Sequence, residues 1–299
     1  MMMNGGGLLD QRKDIVKMKH ANNKVRYVRK PIKKKYRSYK KTKDPKVLRE
    51  LFDSCREVFK GPGTVPPDSD VDKLCSILDK MRPKHVGLSK NMHFFKPESA
   101  VKGAPRLAYT TIYQCHEFSI CIFFLPANAV IPLHNHPGMT VFSKLLVGKM
   151  HIKSYDWVDH PNSQHPPSSQ CKNPSFLPGN SDSYSCIHMV LVSVRLARLE
   201  ADGVLKAPCE TWVLYPTTGG NIHEFRAITP CAVLDVLGPP YSKEDDRDCS
   251  YYKELPLSHG VNEQETDNLR WLEEIGVPEN SKMDRIEYLG PRLIETTFL

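Results

Sequence analysis

The amino-acid sequence predicts a mostly β protein, built as a small sandwich or barrel, with a helical layer on its N-terminal side. Up to about residue 81, apolar residues recur at helical spacing, whereas from Leu107 the chain breaks into short β-rich runs. Gly, Pro and Asn punctuate these runs, as is typical of sandwiches and barrels. The runs are LAYTTIYQC (107–115), FSICIFFL (118–125), TVFSKLLVG (140–148), MHIKSYDW (150–157), IHMVLVSVRLARL (187–199), ETWVLYP (210–216) and CAVLDVLG (231–238).

Two helices form the predicted N-terminal layer. Asp44-Pro45 has the pattern of an N-cap followed by Pro at the first helical position, and Gly61 can end the helix that begins there. Its apolar face is Val47, Leu48, Leu51, Phe52, Cys55, Val58 and Phe59. A second helix is predicted from about Asp70 to Met81, with Val71, Leu74, Ile77, Leu78 and Met81 on one face. Near the C-terminus, DNLRWLEEIG (267–276) predicts one further short helix.

The basic charge of the chain is concentrated in residues 1–43. This arm has fifteen Lys or Arg and two acidic residues, so the remaining 27 basic and 32 acidic residues give the body, 44–299, a net charge of −5. The arm lacks apolar periodicity, which predicts disorder. Its segment RKPIKKKYRSYKKTK (29–43) is consistent with a nuclear localisation signal or a polyanion contact. The alternative is a solvated basic arm with no targeting role. An acidic body argues against a direct nucleic-acid role for the whole protein.

Other features of the sequence exclude several classes of protein. No stretch of about 18 apolar residues occurs, so we expect no membrane span, and the N-terminus has no secretory signal. The nine cysteines are odd in number and contain no CxxC pair, which predicts reduced thiols in a cytosolic or nuclear compartment. The polar, Pro- and Ser-rich stretch 158–185 is predicted to be a surface loop inserted between strands.

Three histidines are the candidate metal ligands. His134 and His136 flank one residue, and on a strand the side chains of residues i and i+2 point to the same face. His223 follows the glycines of Gly219-Gly220 into an apolar strand, so it is the best candidate for a third donor. An HxH pair alone is a weak signal, and the alternative is two exposed loop histidines.

The stretch from His134 to Gly148 resembles the first motif of the cupin superfamily. That motif has HxH, then usually a metal-binding Glu, then Gly; in this sequence Val141 stands at the position of the Glu, and Gly148 is retained. The superfamily implies a double-stranded β-helix, or small jelly-roll barrel. The departure at Val141 leaves the resemblance with histidine ligands and no carboxylate in this motif.

The segment Gly220-x-x-His223 resembles the second cupin motif. It departs from that motif because Thr218 replaces the Pro two residues before the Gly, with a Pro only at Pro216. Cupins that have three histidines and no Glu include the thiol dioxygenases. The two departures therefore point to that group.

From about residue 68 to 295 the chain resembles the plant cysteine oxidases, whose animal relative is cysteamine dioxygenase. The segments that carry the resemblance occur in order: HNHPGMTVFSKLLVGKMHIKSYDW, YPTTGGNIHEF, AVLDVLGPPY, DCSYY and WLEEI. The resemblance implies Fe(II) as cofactor and oxidation of the N-terminal cysteine of a protein to cysteine sulfinic acid. It also implies that His134, His136 and His223 are the iron ligands, that Asp235 is a pocket acid and that Tyr241 is a pocket tyrosine near the substrate.

The chemistry of thiol oxidation suits three neutral imidazoles. A site without a carboxylate lets a substrate thiolate supply the negative charge, and a cation lowers the pKa of the thiol that binds it. An N-terminal cysteine offers its α-amine as a second donor, and O2 then takes sulfur to the sulfinic level. A small-thiol dioxygenase acting on cysteamine or cysteine, and a non-catalytic cupin module with a structural metal such as zinc, remain the alternatives.

Several further residues have both a functional and a structural interpretation. Asp235 interrupts an apolar strand; it either faces the pocket and receives the amine of the substrate, or is an outward-facing acid on an alternating strand. Tyr241, as a lone tyrosine, is more often a packing residue. Cys249 is either redox-active or a bystander thiol, and Glu224 is opposite in strand parity to His223.

The resemblance also implies partners and a place in the cell. It implies an oxygen sensor that uses O2 to mark proteins with an exposed N-terminal cysteine, such as hypoxia-response transcription factors, for degradation through the N-degron pathway. We expect a monomer that occurs in the nucleus and the cytoplasm.

Overall fold

The computed structural model describes residues 46–89, 92, 106–158, 193–255 and 268–293, with two helices before the first strand. Helix α1 is Lys46–Val58 and helix α2 is Asp68–Asp79. Each helix buries one apolar stripe, as the sequence periodicity predicts. The buried residues of the two stripes include Leu48, Leu51, Phe52, Leu74 and Leu78. Among the described residues, no helix is long and apolar enough to cross a membrane.

Six strands form an open sheet whose order is β12-β1-β2-β9-β4-β7. All neighbours pair antiparallel except β12 and β1. The bounds are β1 Ala108–Gln114, β2 Ser119–Leu125, β4 Thr140–Val147, β7 Trp212–Leu214, β9 Cys231–Gly238 and β12 Asp284–Arg285. Strands β2, β4 and β9 are buried along nearly their whole length.

The other six strands form a closed ring in the order β10-β11-β6-β5-β8-β3, with β3 also pairing to β10. The bounds are β3 Val130–His134, β5 Lys149–Trp157, β6 Val194–Lys206, β8 Ile222–Ala227, β10 Tyr251–Leu255 and β11 Leu269–Ile275. Alternation of buried and exposed residues along β6 shows that this part of the molecule has one face toward solvent. Together the sheets confirm the predicted mostly β cupin fold with helices in its N-terminal region.

Two apolar clusters fill the spaces on either side of the open sheet. On one side, Ala232, Leu234 and Val236 of β9 pack with the helices. On the other side, Val233 joins residues such as Ile152 of β5 and Phe225 of β8. Because successive residues of a strand point to opposite faces, Asp235 must point to the side of Val233, into the space between the two sheets.

Two details of the predicted secondary structure were wrong. The segment predicted as a C-terminal helix is β11, which pairs with both β10 and β6 and buries Leu272 completely. Its Leu and Glu content favours a helix locally, but pairing on both edges determines the strand. His136 lies beyond the end of β3, in a turn that contains Gly138 at φ 64°, so the two histidines of the HxH pair do not share one strand.

Three sequence predictions fall outside the described residues. These are the disorder of the basic arm 1–43, the start of the first helix at Asp44 and most of the 158–185 loop. The predicted run 187–199 is described only from residue 193 onward, where β6 begins at Val194.

Candidate metal centre

Three buried histidines meet at one end of the space between the sheets. His134 is the last residue of β3 and lies opposite His223 of β8 in the strand register. The ring centroid of His136 is 5.0 Å from that of His134 and 4.9 Å from that of His223. One ligand atom from each ring lies within 4.8 Å of the others. The structure therefore brings together the three residues that the sequence singled out, and their spacing fits one shared ion.

Hydrogen bonds to residues far along the chain hold the turn that carries His136. The side-chain oxygen Oδ1 of Asn221 accepts from the backbone N–H of His136 at 3.0 Å, and its Nδ2 donates to the carbonyl of His136 at 2.9 Å. The backbone N–H of Asn135 donates to the carbonyl of Ser250 at 3.1 Å, and the side-chain Oδ1 of Asn135 accepts from the N–H of Ser250 at 2.9 Å. These contacts do for His136 what strand pairing does for His134 and His223.

Hydrogen bonds determine which nitrogen of two rings is available to a metal. Nδ1 of His134 lies 2.8 Å from the carbonyl oxygen of Pro132. A carbonyl only accepts, so this Nδ1 carries the proton and Nε2 carries the lone pair. The Tyr241 hydroxyl donates to the carbonyl of Asn135 at 2.8 Å and lies 2.8 Å from Nδ1 of His136. With its proton used in this way, the hydroxyl accepts from Nδ1–H, and Nε2 of His136 is again left as the donor atom.

Burial keeps the three rings in the neutral form that ligates metals. It lowers the pKa of His134, and it lowers the pKa values of His136 and His223 further, helped by the neighbouring imidazoles. In the part of the chain that the structure describes, Nε2 of His136 and Nδ1 of His223 have no hydrogen-bond partner. Buried polar atoms without partners are costly, and a bound cation would satisfy such an atom.

A cavity of about 400 Å³ opens onto the three imidazoles. Both sheets contribute to its walls. The ring contributes the strand histidines and Phe225, and the open sheet contributes residues of β1 and β2, which are Tyr109, Thr111, Gln114, Ser119, Cys121 and Phe123. The cavity is large enough for a cysteine and the next few atoms of a peptide. Its walls are mostly aromatic and aliphatic, with a few polar groups, as is common for ligand sites.

Asp235 is the acidic group in this cavity. It is 5% exposed, and Oδ1 has no partner among the described residues, so the alternative of an outward-facing acid is wrong. Burial raises the pKa of its carboxyl to about 7, an effect that the hydroxyl of its register neighbour Ser143 opposes. A carboxyl that titrates near neutrality can bind a cationic group of a ligand or exchange a proton with it.

Tyr241 and Cys249 lie together at the side of the cavity. Burial, with Cys249 next in importance, raises the pKa of Tyr241 well above its usual value, so the hydroxyl stays protonated. Burial also raises the pKa of the Cys249 thiol to about 11, which keeps it neutral. Tyr241, predicted to lie near the substrate, thus lines the cavity and also contacts a candidate ligand.

Glu224 and Val141 lie outside the group of candidate ligands. Glu224 points away from the site and pairs with Arg226 at 3.0 Å. Val141, at the position of the missing Glu, is completely buried in an apolar cluster with Met139 and Leu237. The ligand set is therefore three imidazoles, without a carboxylate from that position.

Sequence reasoning missed two buried polar residues behind the metal centre. Asp156 of β5 accepts from the backbone N–H of Gly220 at 3.0 Å and of Asn221 at 2.9 Å. Asn221 in turn contacts His136, as described above. A polar residue at the apolar end of β5 and an Asn after two glycines were the available signals, but neither reveals a contact made 65 or 85 residues away.

Comparison with known proteins places this architecture in a family. The PCO_ADO family model matches residues 77–293. Plant cysteine oxidase 1 of Arabidopsis thaliana is 45% identical over 240 residues, which cover 76% of this chain and 73% of the relative. Plant cysteine oxidase 2 of the same organism is 43% identical, with 83% of each chain covered.

A more distant relative and a solved structure are also similar to the chain. The 2-aminoethanethiol dioxygenase of Homo sapiens is 32% identical over 62% of this chain and 66% of its own. An RmlC-like cupin protein from Desulfovibrio desulfuricans is 16% identical over 48% of this chain and 97% of its own, with a TM-score of 0.26. The family match over residues 77–293 and the two Arabidopsis relatives confirm the resemblance seen in the sequence, and the chain belongs to the PCO_ADO family.

Proposed function

We propose that this protein is an iron(II)-dependent dioxygenase that oxidises the N-terminal cysteine of target proteins to cysteine sulfinic acid. The observation that carries the proposal is the composition of the cavity. Three neutral imidazoles converge at one end, and the same cavity contains the buried carboxyl of Asp235, whose Oδ1 has no partner among the described residues. Membership of a family whose relatives are named cysteine oxidases supports dioxygenase activity.

The choice of iron rests on the donor set together with the reaction. Neutral imidazoles suit several divalent transition metals, including iron and zinc. Zinc has no redox chemistry, so a dioxygenase requires a redox-active ion at these ligands. His134, His136 and His223 would hold an Fe(II) ion, and that ion would supply the redox chemistry by which a thiol reacts with O2.

Two residues of the cavity, Asp235 and Tyr241, orient the substrate and a metal ligand. We assign Asp235 the role of holding the α-ammonium of an N-terminal cysteine, since a buried carboxylate stabilises a cation that satisfies it. Tyr241 keeps His136 in the tautomer that leaves Nε2 free. The reaction balances without a cosubstrate, because one thiol and one O2 give one sulfinic acid with both oxygen atoms on sulfur.

Mass spectrometry of a Cys-initiated peptide tests the proposal. Incubation with iron-loaded protein and O2 should add two oxygen atoms to the cysteine. The same peptide with an acetylated amine should not react, because an amide carries no positive charge for Asp235 to hold. A peptide that retains Met before Cys is the second control. Oxidation of the acetylated peptide at a comparable rate would remove the amine from the mechanism.

A second candidate is a dioxygenase of small thiols. It is favoured by the human relative named for 2-aminoethanethiol, a compound with a thiol and an amine but no carboxylate. Free cysteine should be a poor substrate, because its carboxylate would enter a cavity whose assigned acid is Asp235. Competition between the Cys-initiated peptide, cysteamine and free cysteine separates these functions, and preference for a small thiol would replace our proposal.

A non-catalytic metal-binding cupin module is the remaining alternative. Metal analysis of protein purified from iron-replete cells, followed by measurement of O2 uptake with the peptide, distinguishes it from an enzyme. We expect iron and O2 uptake. Zinc at full occupancy, with no uptake after replacement by Fe(II), would favour the binding module.

We further propose that the enzyme acts in the nucleus and the cytoplasm as an oxygen sensor. The sulfinic acid would direct targets such as hypoxia-response transcription factors to the N-degron pathway, and slower reaction at low O2 would let them persist. The basic segment 29–43 supports the nuclear part of this proposal. Deleting residues 1–43 should reduce nuclear accumulation of a tagged protein while peptide oxidation stays nearly unchanged. A large loss of oxidation would instead show that the arm helps to bind substrate.

A further inference from the structure

His136 differs from the other two candidate ligands in what holds its backbone. The backbones of His134 and His223 belong to paired strands, so sheet hydrogen bonds determine their positions. His136 follows the end of β3 and has no strand partner in the described structure. A ligand on a turn needs another source of rigidity, because metal sites tolerate only small errors in ligand position.

The side chain of Asn221 supplies two opposed hydrogen bonds to His136. It accepts from the N–H of His136 at 3.0 Å and donates to the carbonyl of the same residue at 2.9 Å. The second hydrogen of Nδ2 goes to the carbonyl of Tyr215 at 2.7 Å. Among side chains of this length, only a primary amide can donate and accept in this way, and the residue is buried at 6% exposure.

Asp156 orients the backbone from which the Asn221 side chain extends. Its carboxylate accepts the N–H groups of Gly220 and Asn221, as part of a turn in which Gly220 has φ 81°. A Cβ at residue 220 would lie 2.5 Å from the hydroxyl of Ser154, so only glycine fits this approach. The anion on β5 thereby determines the path of the chain just before His223 and the origin of the Asn221 side chain.

We infer that Asn221, oriented by Asp156, is a positioning residue that holds His136 in register with His134 and His223 for metal binding. One amide joins the turn of the first histidine pair to the segment that carries the third histidine, so the three ligands are arranged before the ion arrives. This inference rests on the proposed metal site but on no part of the thiol chemistry. Residues that orient metal ligands typically change metal affinity by about 10–100-fold when they are replaced.

The test measures affinity for Fe(II) alone, on the full-length chain, by anaerobic competition with a chelator. Asn221→Asp is nearly isosteric, but it replaces the donating Nδ2 with an oxygen that faces the carbonyls of His136 and Tyr215. We expect the dissociation constant for Fe(II) to rise by about 10–100-fold. Asp156→Asn should change it in the same direction by a smaller factor, and it provides the test if Asn221→Asp does not fold.

Hydrogen exchange in the metal-free protein provides a readout that does not depend on activity. The amide of His136 should exchange faster in Asn221→Asp than in the wild type, because repulsion between the new carboxylate oxygen and the carbonyls of His136 and Tyr215 moves the side chain away from that amide. Asp79→Asn is the matched control, since Asp79 also accepts from a backbone N–H, that of Thr211 at 2.8 Å, but belongs to α2 and touches no histidine ligand. It should lower the unfolding temperature and leave Fe(II) affinity unchanged.

The outcomes separate this inference from the proposed function. An Fe(II) dissociation constant within about threefold of the wild-type value in the folded variants would overturn the positioning role. Equal weakening of Fe(II) binding by Asp79→Asn would also overturn it, because the effect would then follow general stability. Failure of the wild-type protein itself to bind Fe(II) would instead refute the proposed metal site.

Discussion

The open sheet and the ring of strands contribute different chemistry to the same cavity. The ring and the turn after β3 carry the three histidines, whereas the open sheet carries Asp235. The ring exposes one of its faces to solvent, but β9 of the open sheet is buried along its whole length between the helices and the ring. The metal ligands therefore come from one side, and the group assigned to the substrate comes from the other.

This difference shows why a buried acid on the open sheet calls for explanation. On a strand with one solvent face, an acid can point outward at little cost, as Glu224 does beside Arg226. No such face exists on β9, where alternate residues pack against the helices or against the ring. A carboxyl retained at that position must be stabilised by a ligand or remain protonated.

The largest effect is expected from the ring side. His223→Ala should abolish metal binding and activity, because one of the three candidate ligands in the described site is lost. The fold should survive, since the ring of His223 faces the cavity and the strand pairing of β8 runs through its backbone. Iron content and circular dichroism of the purified protein check this. His151→Ala on the exposed face of β5 is the control, and iron content like that of the wild type in His223→Ala would place the third ligand elsewhere.

On the open-sheet side, Asp235→Asn should keep iron but slow the oxidation of a Cys-initiated peptide. Asn is close in size, so packing is preserved, while the charge that binds an ammonium is lost. The same carboxyl can also exchange a proton with the amine, and general acid–base groups typically contribute about 10²–10⁴-fold to the rate. Steady-state kinetics at matched iron content measure the effect, with Asp202→Asn, an exposed acid, as control. Unchanged turnover would remove Asp235 from the mechanism and leave the division between the sheets unsupported.

Sequence patterns predicted the parts of this arrangement that depend on local periodicity. The continuous apolar run of β9 and the stripes of α1 and α2 are properties of short segments, and the structure confirms them. The HxH motif and the glycines before His223 likewise indicated which histidines converge. The sequence-based prediction was wrong where long-range pairing determines the secondary structure. The example is β11, whose composition suits a helix but whose two edges are paired.

The support behind the site was not predictable for the same reason. Asn221 contacts His136 across 85 residues, and Asp156 contacts Asn221 across 65. No local pattern relates such positions, because their proximity arises only when β3, β5 and β8 are aligned in one sheet. The family resemblance named the ligands and the pocket residues but not the side chains that hold them.

The pH dependence of stability gives a third prediction, which concerns Asp235, the buried acid of the open sheet. Burial raises the pKa of Asp235 in the folded state to about 7, above its usual value of 3.8, so folding favours the protonated carboxyl. This contribution is fully present below pH 3.8 and is lost as pH rises through about 7. In metal-free protein, the unfolding free energy of the wild type should fall relative to that of Asp235→Asn by about 1.4 kcal/mol for each pH unit across this interval.

Denaturant unfolding of both metal-free proteins at several pH values measures that difference. It should level off above pH 7, where the carboxyl is ionised in the folded and unfolded states alike. Ser143→Ala provides a second check, because loss of a hydroxyl that lowers the pKa of Asp235 should shift the interval upward. A difference independent of pH would mean that the carboxyl is stabilised as an anion by a group of the chain itself.

The smallest effect on the site is expected from the outer face of the open sheet, at the contact between α2 and β4. Asp79 of α2 accepts from Lys144 Nζ at 2.7 Å and from both the N–H and the hydroxyl of Thr211. Lys144 is 3% exposed and also donates to the carbonyl of Cys209, so Asp79→Asn weakens a buried contact without stranding the ammonium entirely. The unfolding free energy should fall by about 1–3 kcal/mol.

Iron affinity and turnover per folded molecule should match the wild type, because the contact faces the helices and the cavity lies on the other side of the sheet. Asp72→Asn, on an exposed position of the same helix, controls for helix charge and should change neither quantity. A fall in turnover for Asp79→Asn at unchanged folding would show that the two faces of the open sheet are coupled, and the helical layer would then share in the function now assigned to the space between the sheets.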